Sequence, residues 1–197
     1  LALRTAADTV PVLASATFES PAGWPLDVLV DARMRKTQRP LKQTHMAALV
    51  IGIGPGFIAG EQAHLVIESN WGERLGAVIR SGGTEAYTGK HREIEGFGRE
   101  RYLYAPQGGM FHTALDVGSP VRAGEPIGEV ADTPLLAEID GTLRGLAYDG
   151  VTVTEGTKLA EIDPTSDRRN WSGIAMRPGK IADGVLRAIL DRWPELQ

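Results

Sequence analysis

Residues 52–60, GIGPGFIAG, hold four glycines, Gly52, Gly54, Gly56 and Gly60, with Pro55 fixing one φ between them. Such a stretch lets backbone amides approach a ligand without intervening side chains, the chemistry that holds a phosphate or another oxyanion. The same glycines also suit a tight crossover between packed strands, and the residues alone leave both readings open. A dinucleotide fingerprint is a poor match, because Phe57 stands where Gly-x-Gly-x-x-Gly needs its third glycine and no clear helix follows. Upstream, DVLVDARMRK (residues 27–36) runs from an apolar stretch into Asp31, Arg33 and Lys36. Arg33 or Lys36 would neutralise an anion held at the loop; the alternative is a solvated strand end.

Four apolar runs must position these residues. VLVDA, AALVIGI, HLVIES and GAVIRSG read as strands, and continuous runs of this kind suit strands covered on both faces. The first two are neighbours in sequence and are expected to be neighbours in a sheet, so that their C-terminal ends bring residues 31–36 to the glycine loop. TVPVLAS (residues 9–15) reads as a further strand. Residues 84–101, with Tyr87, Thr88, Gly89, His91 and Arg92, read as a solvated loop. Near the C-terminus, Ile181, Val185, Leu186 and Ile189 recur at helical spacing within residues 180–193.

Between them lies a duplication. Residues 108–130 align without a gap on residues 140–162, so that Gly109 falls on Gly141, Gly118 on Gly150, Val121 on Val153, Gly124 on Gly156 and Glu129 on Glu161. Half a unit this short cannot bury its own apolar face, so the two must pack together. Each half reads as three short strands with glycine turns, and the unit resembles the barrel-sandwich hybrid fold of biotinyl and lipoyl carrier domains. Carriers bear their modified lysine on the hairpin between halves. The join here, ADTPLLAE (residues 131–138), has none, and Lys158 is the only lysine in the unit. No covalent biotin or lipoate is expected.

The fold class expected is α+β and β-rich. A mixed strand layer with the glycine loop occupies residues 1–103, the duplicated unit 104–164, and a segment ending in a helix packed on the rest 165–197.

Composition narrows the chemistry. With no cysteine in 197 residues, thiolate zinc, iron–sulfur clusters, disulfides and a cysteine nucleophile are excluded. His45, His64, His91 and His112 lie at no metal-binding spacing, so neither metal nor cofactor is called for. A net charge of −4 offers no basic face for nucleic acid, no run is long enough for a helical membrane span, and no signal peptide is evident, which makes the cytoplasm the expected location. The first residue is Leu1 rather than methionine, as in a piece of a longer protein.

With these pieces assembled, the chain resembles the accessory proteins of selenium-dependent molybdenum hydroxylases. DVLVDARMRK, VIGIGPGFIAG, HLVIES with Gly72 and LGAVI, Tyr87-Thr88-Gly89, DGTLRGLAYDG, EIDP and ADGVLRAIL follow that family's order over residues 11–190, GIGPGFIAG being the most specific. Family members look longer at the N-terminus, where a nucleotide-binding-like segment precedes the matching part. They also tend to carry Arg-Gly-His where Trp71, Gly72 and Glu73 stand. The resemblance implies maturation of a xanthine-dehydrogenase-type hydroxylase, with that enzyme or its cofactor as partner. Without cysteine, any such role is by binding. Two other classes stay open: a small hydrolase or transferase using Asp31 or Glu68 as base, and a non-catalytic docking scaffold.

Overall fold

The computed structural model describes residues 25–36, 38–89 and 92–196. The expected strand at residues 9–15 and His91 lie outside them. Within them the chain is β-rich α+β, with four sheets and one long helix near its C-terminus.

The first part contributes β1 (Val28–Asp31), β2 (Leu49–Ile53), β3 (Ile58–Ala59), β4 (Leu65–Ile67), β5 (Val78–Ile79) and β6 (Gly82–Gly83). Its main sheet has the order β1-β2-β4-β5, parallel except for the antiparallel β5, while β3 and β6 form a small ribbon beside it. The expected pairing of residues 28–31 with 49–52 is present in register. Burial on both faces holds for β2, all five residues of which are buried, but not for β1, an edge strand whose Val30 is exposed.

One face of β2 packs under α1 (Met176–Arg192) through Leu49, Ile51, Ile181 and Ala188; the other packs Val50 against Phe57, Val66 and Ile79. The helix starts earlier than its apolar spacing suggests. Pro178 is tolerated there because first-turn amides have no partner within the helix. Leu186, expected on the buried stripe, is exposed, and Gly184 approaches Gly76 so closely that a Cβ at either would meet backbone. An Arg80–Asp191 ion pair of 2.6 Å lies at the rim.

The second part runs through β7 (Tyr102–Tyr104), β8 (Gly109–His112), β9 (Pro120–Val121), β10 (Pro126–Val130), β11 (Thr133–Leu136), β12 (Gly141–Leu146), β13 (Thr152–Val153) and β14 (Lys158–Asp163). These make two four-stranded sheets, β11-β10-β8-β13 and β7-β14-β12-β9. The 32-residue offset turns one sheet into the other. Gly141 pairs with Val121 as Val153 pairs with Gly109, and Val130 pairs with Phe111 as Ile162 does with Leu143.

Loop hydrogen bonds obey the same exchange: the Ala105 amide donates to Thr157 and that of Ala137 to Glu125, while Gly156 and Gly124 donate to Ala105 and Ala137 in return. Each sheet therefore takes strands from both halves, β9 of the first joining β12 and β13 of the second joining β8.

The repeat is longer than its glycines suggest. It begins at β7, which corresponds to β11, and Leu103 and Leu135 are equivalent core residues. The join between the halves is accordingly not an eight-residue loop: the turn is Ala131 and Asp132, both at positive φ as a two-residue hairpin requires, and β11 follows at once. Phe111 with Leu143, Val121 with Val153, Ile127 with Leu159 and Val130 with Ile162 fill one shared core.

Candidate functional site

The glycine loop proves to be committed to the fold. At Gly52 a Cβ would overlap the Phe57 ring, so this glycine lets the loop fold back over its own strand. The Gly54 amide donates to the Ile67 carbonyl (3.2 Å) and that of Gly60 to Ala63 (2.8 Å); the Thr84 hydroxyl donates to the Gly54 carbonyl, and Gly56 lies against Pro40. Two of the amides expected to cradle an anion are thus spent within the protein. Those two contacts fit the crossover reading of the loop.

Asp31 and Arg33 are spent on each other. Arg33 Nε donates to Asp31 Oδ1 at 2.9 Å and its guanidinium grips the second oxygen, which also accepts from Gln43 Nε2 at 2.8 Å. Those Arg33 hydrogen bonds, against the opposing effect of burial and with help from Gln43, hold the Asp31 carboxyl at about 2. A carboxylate so stabilised is a poor base, and Arg33 directs Nε and one terminal nitrogen to it. Glu68 is likewise occupied: buried, it accepts from the amides of Ser69, Asn70 and Glu85, tying residues 68–70 to residue 85.

Of the residues expected to bind, Lys36 alone reaches a cleft, and it does so with Pro55. This cleft, of about 590 Å³, opens between the strand layer and the duplicated unit. From the strand layer it takes Lys36, Trp71, Glu85 and Tyr87. The duplicated unit contributes Tyr102, Tyr104, Arg144, Lys158 and Glu161; Arg92 and Arg177 complete it. Five cations thus meet two carboxylates in a chain whose overall charge is negative. Three of the four tyrosines lie here, in a chain poor in aromatics.

The charges converge on Glu161. Its Oε1 accepts from Arg101 (3.0 Å) and Arg144 (2.7 Å), and its Oε2 from Lys158 (2.6 Å). Burial works to raise the Glu161 pKa; the Lys158 hydrogen bond and the charges of Lys158, Arg144 and Arg101 outweigh it and leave the carboxyl below its ordinary value. Arg101 is fully buried and also donates to the carbonyls of Ile162 and Arg92. One carboxylate among three cations leaves positive charge over.

Arg177 adds to it. Its Nε donates to the Ser69 carbonyl (2.8 Å), and among the described residues it has no carboxylate within ion-pair distance. Burial, and then the charge of Arg144, depress its pKa against the opposing charge of Glu68. The aromatic rings hold cations in place: Lys36 lies 5.1 Å from the Tyr87 centroid, Arg92 4.1 Å from Trp71 and Lys158 4.3 Å from Tyr102.

Sequence reasoning missed Arg144, Lys158, Glu161 and Arg177 because their convergence is tertiary, and it treated residues 84–101 as solvated although Tyr87, Thr88 and Arg92 line the cleft. The available signal was asymmetry inside the repeat, where Lys158 and Arg144 fall on Pro126 and His112. Among the described residues, no group of three or more His, Asp or Glu side chains could hold a metal ion, and no helix is long and apolar enough to cross a membrane.

No family model matches the chain. It is 35% identical over 162 residues to an uncharacterized protein, YqeB, of Escherichia coli (strain K12), an alignment covering 82% of this chain and 30% of that one. The chain therefore spans under a third of the length of the curated relative it matches.

Among solved structures, it overlaps a succinylglutamate desuccinylase/aspartoacylase from Rhodobacter sphaeroides (29% identity, TM-score 0.30, 42% of this chain and 26% of that). It also overlaps the apo form of the ectoine utilization protein EutE (DoeB) from Ruegeria pomeroyi (11%, 0.30, 57% and 46%). Both overlaps are partial and low-scoring.

Proposed function

We propose that this chain is an accessory factor in the maturation of a xanthine-dehydrogenase-type molybdenum hydroxylase. It acts in the cytoplasm by binding an anionic ligand or cofactor in the cleft that Lys36, Arg144, Lys158 and Arg177 share. One observation carries the binding reading: five cations against two carboxylates in a concave site of an acidic chain. The pathway comes from the sequence resemblance. The ligand-binding role passes from the glycine loop to the cleft beside it, Lys36 belonging to both.

In the same proposal the duplicated unit is a barrel-sandwich hybrid put to use as one wall of a binding site. The reciprocal strand exchange supports that form. A stand-alone hydrolase or transferase is the weaker reading, because Asp31 and Glu68, its candidate bases, are saturated by Arg33 and Gln43 and by three backbone amides.

Deleting the gene tests the role. Hydroxylase activity in extracts should fall while the hydroxylase polypeptide persists, and a chain carrying Arg144→Gln and Arg177→Gln should fail to restore it. Unchanged activity on deletion would remove the maturation reading.

A further inference from the structure

The cleft is larger than a bare oxyanion needs, and its charges are not spread evenly. Arg144, Lys158 and the buried Arg101 gather at Glu161 on the wall formed by the duplicated unit, and Arg177 lines the same cleft as Arg144 and Lys158. Two arginines on one cleft, of which Arg177 makes no ion pair among the described residues and feels Glu68 only at longer range, suit an anion that both can reach. The strand-layer wall differs. It presents Tyr87, 45% exposed with Lys36 over one face of its ring, and Trp71, 39% exposed. A volume of about 590 Å³ with aromatic walls suits a small organic molecule.

We infer that the cleft takes an organic phosphate carrying a flat heteroaromatic ring, its phosphate between Arg144 and Arg177 beside Lys158 and its ring against Tyr87. The inference rests on the anion-binding reading of the cleft and names the ligand class. Both groups are needed: the phosphate answers the surplus positive charge, and the ring covers aromatic surface that an inorganic ion leaves in water.

Equilibrium titrations test it with flavin mononucleotide, adenosine 5′-monophosphate and cytidine 5′-monophosphate, their dephosphorylated parents riboflavin, adenosine and cytidine, and inorganic phosphate. At least one phosphate ester should bind tenfold or more tighter than both its parent and inorganic phosphate. Tyr87→Leu, at an exposed ring, should bring that ester to within about threefold of inorganic phosphate while leaving inorganic phosphate binding unchanged. Arg177→Gln should weaken ester and inorganic phosphate alike by about tenfold.

Esters no tighter than inorganic phosphate, or an ester advantage that survives Tyr87→Leu, would overturn the ring assignment and leave the anion site standing. Parents as tight as their esters, or binding of none of the probes, would overturn both.

Discussion

The two halves of the duplicated unit share a core and differ on the face each turns outward. In the core, equivalent positions hold Leu103 and Leu135, Ala105 and Ala137, Val121 and Val153, all buried. On the sheet faces, Tyr102 and Tyr104 of the first half stand where the second has Pro134 and Leu136, and Arg144 and Lys158 of the second stand where the first has His112 and Pro126. Even the shared carboxylate differs in setting. Glu161 draws in three cations, while Glu129 is exposed and makes no ion pair among the described residues.

Packing explains what stayed alike: an interior at crystal-like density tolerates little change in volume. Position explains what differs. The β7-β14-β12-β9 sheet faces the loops of the strand layer and closes a cleft with them, whereas His112, Pro126 and Glu129 of the opposite sheet line a shallower pocket. Duplication thus supplies a scaffold, and the functional candidate is the face of the β7-β14-β12-β9 sheet, which takes its rings from the first copy and its charges from the second.

The largest effects should come from the shared core. Phe111→Ala and Leu143→Ala remove equivalent, fully buried side chains, and each should lower stability by about 3 to 4 kcal/mol. Because each sheet is built from strands of both halves, both variants should lose both halves in one denaturant transition, with far-UV and near-UV circular dichroism coinciding. Separate transitions for the halves would break the interlocked picture.

A smaller effect should separate the two faces. Glu161→Gln leaves Arg101 buried without a carboxylate and should cost about 2 kcal/mol, a value reduced by the partial exposure of Arg144 and Lys158. Glu129→Gln should change stability by less than about 0.5 kcal/mol. The difference is pH-dependent in a definite direction. The Glu161 pKa is lowered in the folded protein, so its contribution is present above the unfolded value and lost as pH falls through the folded one. Thermal melts of the two variants should therefore diverge near neutrality and converge in acid. Equal losses near neutrality would mean that the cation cluster adds nothing to the second half.

Much of the fold was legible because its signals are local. Glycines at positive φ recur at Gly118 and Gly150 and at Gly124 and Gly156, marking the turns of both halves, and the apolar runs gave β1, β2, β4 and β5 in order. The start of the repeat was not legible, since Tyr102 and Pro134 or Tyr104 and Leu136 share no chemistry although their strands are equivalent. The site was legible only through Lys36. The glycine loop signals amides open to a ligand, but the sequence does not show that Ile67 and Ala63 accept from two of them. Nor does it show Arg33 folding back on Asp31, a contact between residues that an extended strand would point the same way.

The claim that one face of the duplication binds anions is tested most directly by titrating inorganic phosphate against Arg144→Gln and His112→Gln, the same change at equivalent positions, across a range of salt concentrations. Binding by the unmodified chain should weaken with salt. Arg144→Gln should reduce affinity by about tenfold and flatten the salt dependence, and His112→Gln should leave both unchanged. Equal losses in the two variants, or no loss in Arg144→Gln, would contradict the assignment of the site to the sheet face that carries Arg144.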